Sequence, residues 1–486
     1  MSRTSQLQHA TEHTQPKGEP ATQSHPRRVL GLRDLVLFYV VATLSLRWLP
    51  VAAAAGPSTI VIWLLGVSTI FLPLALCVME LSSRYPEEGG MYVWSKQAFG
   101  DFAGFLTGWI YWTSNLPYFP AVLYFAASNA LYLGGDRWKA LQASPTFFIT
   151  FSVAGLALAL AMNLVGLNIG KWLSNVGAVG TWLPVAFLCI MGLMAWEKFG
   201  SATSFNAHSL KPSLTVANFG VWATILYAFS GAESASLMGG EIKDPRRTIP
   251  RALIAAGLLV SCGYIMGTVA MLITLPPEKL NSLEGILQAI SSGAERLGWR
   301  GLAPAIALLI CVANLGAVGA YLAALARLPF VVGIDRYLPA AFARVHPKWG
   351  TPHISLIVQA LCTVVFVVLG QAGSTVHGAY QVLVSMTIIT SFVAFLFMFA
   401  SLISLQREPA APEVVLVPGG KRVAIAVALV GFTATGLVII GSLVPDPGEP
   451  NKMLAVVKVV ALSVVLLSSG GILYWYGRRR RKVTGS

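Results

Sequence analysis

The chain is a succession of apolar runs separated by short polar segments. The runs fall at 34–55, 59–81, 98–133, 146–166, 172–196, 216–239, 250–275, 302–333, 353–370, 379–405, 422–444 and 453–476. About 20 apolar residues are enough for an α-helix to cross the hydrocarbon core of a bilayer. The pattern therefore predicts an all-α membrane protein with twelve transmembrane helices. The third and eighth runs exceed one crossing, which indicates tilt or a helical extension beyond the bilayer.

The polar segments complete this organisation. Residues 1–28 are rich in Gln, Thr, His and Pro and too polar for a signal peptide, so we expect a disordered cytoplasmic tail. Residues 281–298 form an amphipathic pattern that predicts a short helix in an exterior loop. The chain ends in a basic tail, 478–486, whose arginine run suits contact with anionic lipid.

Composition supports a membrane protein and argues against a soluble enzyme. Hydrophobic residues make up 55% of the 486 and charged residues 11%, against roughly 25% charged in soluble domains. The net charge of +14 lies in loops between apolar runs, which excludes a nucleic-acid-binding face. The five cysteines stand singly within apolar runs, and the histidines lack metal-ligand spacing. We expect no metal and no cofactor.

The basic residues predict the orientation of the chain. With a cytoplasmic N-terminus, the inside segments hold roughly three times as many Lys and Arg residues as the outside loops. An even number of spans then places both termini in the cytoplasm. We expect a multi-pass protein of the cell membrane.

Two runs carry signs of a broken helix. The sixth reads Ile225-Leu-Tyr-Ala-Phe-Ser-Gly-Ala-Glu233, with Ser230 and Gly231 at mid-span. The first reads Ala42-Thr-Leu-Ser-Leu-Arg-Trp-Leu-Pro50, in which the proline removes a helical donor. Interrupted helices at matching positions in two halves indicate a transport site near the membrane midplane.

Each broken run also contains a charge, and each charge has two interpretations. Glu233 is either a proton-coupling residue, since ionisable groups at this depth are by default functional, or a buried acid whose hydrogen bonds fix the bend. Arg47 either pairs with Glu233 as a structural ion pair or holds the carboxylate of a substrate. The sequence leaves both questions open.

Three segments resemble one known family. They are Glu80-LSSRYPEEGGMYVWSKQAFG-Asp101, Tyr227-AFSGAESASLMGGEIKDPRRTIPRA-Leu253 and Ala326-RLPFVVGIDRYLPAAFARVHPKWGTP-Pro352. They are similar to the loop between spans 2 and 3, to span 6 with its following loop, and to the loop after span 8 of the amino acid–polyamine–organocation transporters. The resemblance implies the LeuT-type fold: an inverted repeat of spans 1–5 (29–200) and spans 6–10 (201–408), with spans 11 and 12 (409–477) outside it.

The resemblance also implies residue roles. In this family the backbone at the two breaks receives the carboxylate and amino groups of the substrate. The positions that match here are Thr43, Leu44 and Ser45 in span 1 and Ala228, Phe229, Ser230 and Gly231 in span 6. Tyr227 aligns with the aromatic gate over the substrate, although an ordinary packed aromatic residue is the alternative. Asn115, beside Pro117, either lines the cavity or packs at a proline kink.

Departures from the family pattern narrow the expected function. Thr43, Leu44 and Ser45 replace the usual Gly-Ser-Gly, as in the glutamate/γ-aminobutyrate exchangers, whose span 3 resembles Ala121-VLYF. Run 302–333 contains no Ser or Thr, so the hydroxyl ligands of a LeuT-type sodium site are absent. Thr181 stands where many proton-coupled or sodium-independent members carry a lysine.

These observations predict a secondary transporter for amino acids or related amines, including polyamines. We expect exchange or proton coupling, without sodium. A nutrient sensor with the same fold but no turnover is the alternative. A membrane-embedded enzyme is not favoured, since neither HExxH nor GxSxG occurs.

Overall fold

The computed structural model describes residues 30–87, 89–165, 167–234, 236, 242–299, 301–334, 337–446 and 448–484. The expected N-terminal tail, 1–28, lies outside the described residues, as do the last two residues of the basic tail. Within the described ranges the chain forms helices and their connections, with no β-strand.

Seventeen α-helices follow one another along the described chain. They are α1 Leu32–Thr43, α2 Trp48–Ala54, α3 Thr59–Gly66, α4 Leu72–Arg84, α5 Met91–Phe99, α6 Asp101–Thr113, α7 Asn115–Gly134, α8 Pro145–Val165, α9 Leu167–Phe199, α10 Val216–Tyr227, α11 Pro245–Thr274, α12 Gly285–Leu297, α13 Leu302–Ile334, α14 His353–Gln371, α15 Val376–Leu405, α16 Gly420–Gly441 and α17 Lys452–Thr484. A π-helical turn, Val67–Phe71, joins α3 and α4 into one helix.

Nine helices in the described part of the chain are long and apolar enough to cross a membrane. They correspond to nine of the twelve predicted runs. The other three runs, 34–55, 98–133 and 216–239, contain shorter helices: α1 with α2, α6 with α7, and α10 followed by turns. The third run had suggested tilt or extension, whereas the structure divides it at Ser114. The amphipathic segment forms α12, as predicted.

The centre of the bundle is α15: 78% of its apolar 18-residue stretch is buried, against 28% for α16 and 22% for α17. Helix α15 packs against five other helices: α5, α6, α7, α16 and α17. Helix α1 packs against α11, and α13 packs against α7 and α9. The two last helices are therefore peripheral, and the broken helices lie inside the bundle.

Candidate functional site

The first break separates α1 from α2. Helix α1 ends at Thr43, Leu44 is extended, and α2 begins at Trp48. Backbone groups freed inside a membrane need partners, and a tyrosine of α11 supplies one. The Tyr264 hydroxyl accepts from Ser45 N–H at 3.0 Å and lies 2.5 Å from the Thr43 carbonyl, to which it donates. Tyr321 of α13 donates to the Ala42 carbonyl at 3.1 Å.

The second break follows α10. After Tyr227 the chain continues in turns, and Gly231 adopts φ +117°, a conformation that side chains rarely adopt. A Cβ on Gly231 would lie 2.8 Å from the Ala42 carbonyl oxygen and 3.0 Å from Thr43 Oγ1. The absence of a side chain therefore lets the two breaks approach each other closely. Tyr264 also reaches this break, since its hydroxyl is 3.2 Å from the Ala228 carbonyl.

A third interruption, between α6 and α7, contributes to the same region. Pro117 has no N–H for the carbonyl of Thr113, which weakens the helix here. Ser114 Oγ and Asn115 Nδ2 donate to the Tyr111 carbonyl at 2.7 and 2.9 Å. Asn115 thus supports the junction, and it also lines the cavity described next. Whether Asn115 binds a substrate stays a prediction.

A polar cavity lies where these three interruptions meet. It measures about 40 Å³, room for about three water molecules at roughly 10–15 Å³ each. An amino acid needs more space, so the walls must separate to admit one. The lining residues are Ala42, Thr43, Ser45, Arg47, Trp48, Tyr111, Asn115, Tyr118, Tyr227, Ala228, Ser230, Gly231, Glu233, Tyr321, Ser391 and Phe395.

Glu233 is a buried acid whose two carboxylate oxygens are both hydrogen-bonded. Oε1 accepts from the Tyr111 hydroxyl at 3.0 Å, and Oε2 accepts from Gly231 N–H at 2.9 Å. The side chain is 4% exposed. These bonds fix the turn after α10, as the structural interpretation expected. Because Glu233 also lines the cavity, its role toward a ligand or a proton stays a prediction.

Arg47 is a buried cation, 2% exposed, that is not paired with Glu233. No carboxylate among the described residues lies within 4.0 Å of its guanidinium nitrogens. Its Nε donates to Ser45 Oγ at 3.2 Å, and its Cζ lies 4.7 and 4.8 Å from the ring centroids of Trp48 and Tyr118. Aromatic faces attract a cation and orient it, but they do not neutralise its charge. The ion pair with Glu233 is therefore not formed in this conformation, and the substrate-holding role of Arg47 stays a prediction.

An aromatic layer covers one side of the cavity. The Tyr227 ring meets Trp48 edge to face at 5.7 Å and Phe392 at 5.2 Å between centroids. The Tyr227 hydroxyl lies 3.5 Å from Ser391 Oγ. The expected gate residue is therefore at the cavity wall, within a cluster of three rings contributed by α2, α10 and α15.

Two of the expected binding positions direct their side chains elsewhere. The side chain of Leu44 packs toward Gly263 of α11. The ring of Phe229 packs against Trp63 and Tyr264, at centroid distances of 5.6 and 5.7 Å. Neither side chain lines the cavity. The roles predicted for these positions concern their backbone, and they stay predictions.

Several cavity residues were missed by sequence reasoning. Trp48, Tyr111, Tyr321, Ser391 and Phe395 line the cavity. Their signal was a hydroxyl or an aromatic ring inside an apolar run. That signal is weak, because such residues also occur in membrane helices as ordinary packing groups.

A larger cavity, about 360 Å³, opens where α4 and α15 end. Both carboxylate oxygens of its buried acid, Glu80, accept hydrogen bonds. The donors are Arg84 Nε at 2.9 Å, Gln406 Nε2 at 2.5 Å and Val417 N–H at 2.9 Å. These bonds tie α4 to α15 and to the segment before α16. We interpret this cluster as structural, because both carboxylate oxygens of Glu80 already accept hydrogen bonds.

Broken helices around a polar cavity, inside a bundle of apolar spans, define a multi-pass membrane transporter. The family model described as amino acid permease matches residues 30–468, so the chain belongs to the amino acid permease family. The resemblance given by the three sequence segments is thereby confirmed. Members of this family are permeases rather than enzymes.

Curated relatives align over much of the chain. An uncharacterized transporter of Legionella pneumophila is 28% identical over 437 residues, 88% of this chain and 92% of the relative. The serine/threonine exchanger SteT of Bacillus subtilis is 27% identical over 64% of this chain and 68% of its own length. The glutamate/serine transporter AimA of Bacillus subtilis is 23% identical over 70% of this chain and 66% of its own length.

Proposed function

We propose that the protein is a sodium-independent secondary transporter that carries amino acids by alternating access. The observation that carries this proposal is Arg47, a buried guanidinium at the cavity between two broken helices that has no carboxylate partner among the described residues. An uncompensated cation at membrane depth is costly, and an anionic ligand group would compensate it. The names of SteT and AimA, which include serine, threonine and glutamate, support a small amino acid.

In this proposal the two ends of the substrate bind to different groups. The substrate carboxylate forms paired hydrogen bonds with the guanidinium of Arg47. The substrate ammonium is placed toward the Glu233 carboxylate, which lines the same cavity. Tyr227 closes over the bound molecule. Ionised Glu233 attracts the ammonium and neutral Glu233 does not, so a proton on this residue would couple pH to transport.

Two observations support independence from sodium. Helix α13 contains no serine or threonine, so it offers no small hydroxyl ligand. Its Tyr321 hydroxyl instead donates to the carbonyl of Ala42 at the end of α1. A carbonyl that accepts this bond is less available to a cation. We therefore propose exchange or proton coupling, within an inverted repeat of residues 29–200 and 201–408 and with both termini in the cytoplasm.

The test is counterflow of labelled serine and glutamate into proteoliposomes that contain the purified protein, with and without sodium. Arg47→Gln removes the charge, and Arg47→Lys keeps it but removes the planar fork. Loss of a buried charge partner costs about 2–5 kcal/mol, so we expect the KM of Arg47→Gln to rise by about 30-fold or more. Arg246→Gln, at a partly exposed arginine that pairs with Glu413, is the control.

The outcomes separate the parts of the proposal. Uptake in the Arg47 variants with a KM within twofold of the wild type would contradict the carboxylate site. Ligand binding without counterflow would replace the transporter by a sensor. A pH profile of uptake that is unchanged in Glu233→Gln would remove the proton role while leaving the carboxylate site intact.

A further inference from the structure

A second pocket, separate from the central cavity, lies at the end of the bundle where α2 ends and α17 begins. It measures about 60 Å³ and is bounded by α2, α10, α15, α17 and residues 442–446 and 449. Its two charged lining residues are both acidic, Asp446 and Glu449. Neutral polar groups line the rest of its polar surface: Thr224, Gln381, Ser385 and Ser442. We call it the acidic pocket.

Glu449 is a buried carboxylate with an unused acceptor. The residue is 8% exposed, and within the described chain its Oε2 atom has no hydrogen-bond partner. A Cβ on Gly378 would overlap this oxygen, so the glycine is what lets the carboxylate reach the first turn of α15. A buried acceptor atom without a hydrogen bond is costly. An unsatisfied buried acceptor in a native site calls for a donor such as a ligand.

Asp446 is oriented beside it. Its Oδ1 accepts from Gly448 N–H at 2.8 Å, and its Oδ2 lies 3.5 Å from both His377 Nε2 and Gln381 Nε2. Lys458 of α17 does not fill the acidic pocket, since its Nζ donates to the Gly370 carbonyl at 3.1 Å and to Ser374 Oγ at 2.8 Å. The field at the start of α15 favours an anion here, but it supplies no donor for Glu449 Oε2.

The acidic pocket lies on the same helices as the central cavity. On α2, Val51 lines the pocket and Trp48 lines the cavity, three residues apart. The corresponding pairs are Thr224 and Tyr227 on α10, three residues apart, and Ser385 and Ser391 on α15, six residues apart. At 1.5 Å per residue the separation along each helix is about 5–9 Å. The rings of Trp48, Tyr227 and Phe392 lie in the same part of these helices. The acidic pocket and the central cavity therefore share three helices, α2, α10 and α15.

We propose that the acidic pocket is an outer subsite that binds the ammonium group of an amino acid on its path to or from the central cavity. The three N–H donors of an ammonium suit Glu449 Oε2, Asp446 and the neighbouring Gln381 and Ser385 oxygens. The volume accommodates an ammonium group and its adjoining carbons. The assignment to a transport path rests on the proposed function; the assignment of an ammonium site does not.

The first test measures binding without transport. Thermal unfolding of the purified full-length protein is recorded in ethylammonium chloride and in sodium chloride at equal ionic strength. We expect ethylammonium to raise the Tm of the wild type and of Glu278→Gln, and not that of Glu449→Gln. Glu278 is an exposed carboxylate of the loop before α12, so its variant controls for a change in surface charge. If Glu449→Gln does not fold, Asp446→Asn takes its place, with at least half of the shift expected to disappear.

The second test measures uptake with substrate added from the side of the acidic pocket. Glu449→Gln removes a charge-assisted hydrogen bond, so we expect its half-saturating substrate concentration to be about tenfold higher than that of the wild type. For the control Glu278→Gln we expect a value within about twofold of the wild type. The outer subsite would be overturned if ethylammonium did not raise the Tm of the wild type. It would also be overturned if the rise in Tm persisted in Glu449→Gln and disappeared in Glu233→Gln. If the wild type transports no amino acid, the proposed function fails, and the binding test still decides on the pocket.

Discussion

Replacement of Gly231 by alanine tests whether the two breaks meet as the structure places them. Gly231 has φ +117° and faces the end of α1. An alanine there costs about 1–3 kcal/mol in backbone strain. Its Cβ would lie 2.8 Å from the Ala42 carbonyl oxygen, closer than real Cβ contacts, and overpacking of this kind costs about 1–3 kcal/mol more. The expected loss of stability is therefore about 2–6 kcal/mol.

The effect has a functional component as well. Relief of the contact moves the turn after α10 away from Thr43 and Ala42, and so displaces Glu233, which is bonded to Gly231 N–H. We expect substrate binding to weaken in any Gly231→Ala protein that folds. The assays are denaturant unfolding in mixed micelles and the KM of counterflow.

Gly436→Ala is the matched control. Gly436 lies in α16, its φ is not positive, and a Cβ there would meet no atom within 4 Å. Alanine is a better helix former than glycine by about 1 kcal/mol, so this variant should be neutral or slightly more stable. If Gly231→Ala matched Gly436→Ala in stability and kept the wild-type KM, the close approach of the two breaks would be refuted.

Two further predictions concern single polar groups. Tyr264→Phe removes the hydroxyl that bonds to Ser45 N–H and to the Thr43 and Ala228 carbonyls, so we expect the unfolding free energy to fall by about 1–3 kcal/mol. Tyr39→Phe is the control, because the Tyr39 hydroxyl is buried without a hydrogen-bond partner among the described residues. Equal losses of stability in the two variants would contradict the role of Tyr264. The hydrogen bond with His377 lowers the pKa of Asp446 below its ordinary value. Ionised Asp446 therefore stabilises the fold above about pH 4, and this contribution is lost as the pH falls through the lowered pKa. The Tm difference between the wild type and Asp446→Asn should therefore be present at pH 6 and shrink in acid; a difference that grows in acid would contradict this assignment.

The sequence was sufficient for the features that local chemistry determines. Apolar runs located the helices, and Gly231, Pro50 and the mid-span charges located the two breaks, because each of these residues acts on the backbone beside it. The same logic did not locate the interruption at Ser114. Pro117 predicted a kink, whereas the helix divides at Ser114, because the N–H that Pro117 lacks would have bonded to the Thr113 carbonyl.

The partners of the breaks could not be predicted, because they depend on contacts between distant parts of the chain. Ser45 and Tyr264 are 219 residues apart in sequence. Any of several tyrosines in apolar runs had the chemistry to donate to a freed carbonyl, and only the packing of α11 and α13 selects Tyr264 and Tyr321. The sequence could not decide between an ion pair and a ligand-binding role for Arg47 for the same reason, because the answer depends on the distance between its guanidinium and the Glu233 carboxylate.

The single hydroxyl of Tyr264 has a consequence for how the bundle moves. It bonds to both breaks from α11, which runs unbroken from Pro245 to Thr274. A motion that pulled α1 away from the turn after α10 would leave one of these buried backbone groups without its partner, at a cost of about 1–3 kcal/mol. A motion that carries both broken helices together with α11 preserves every one of these bonds. In the alternating access proposed above, the hydroxyl thus favours a concerted movement of α1, α10 and α11 over independent bending of each broken helix.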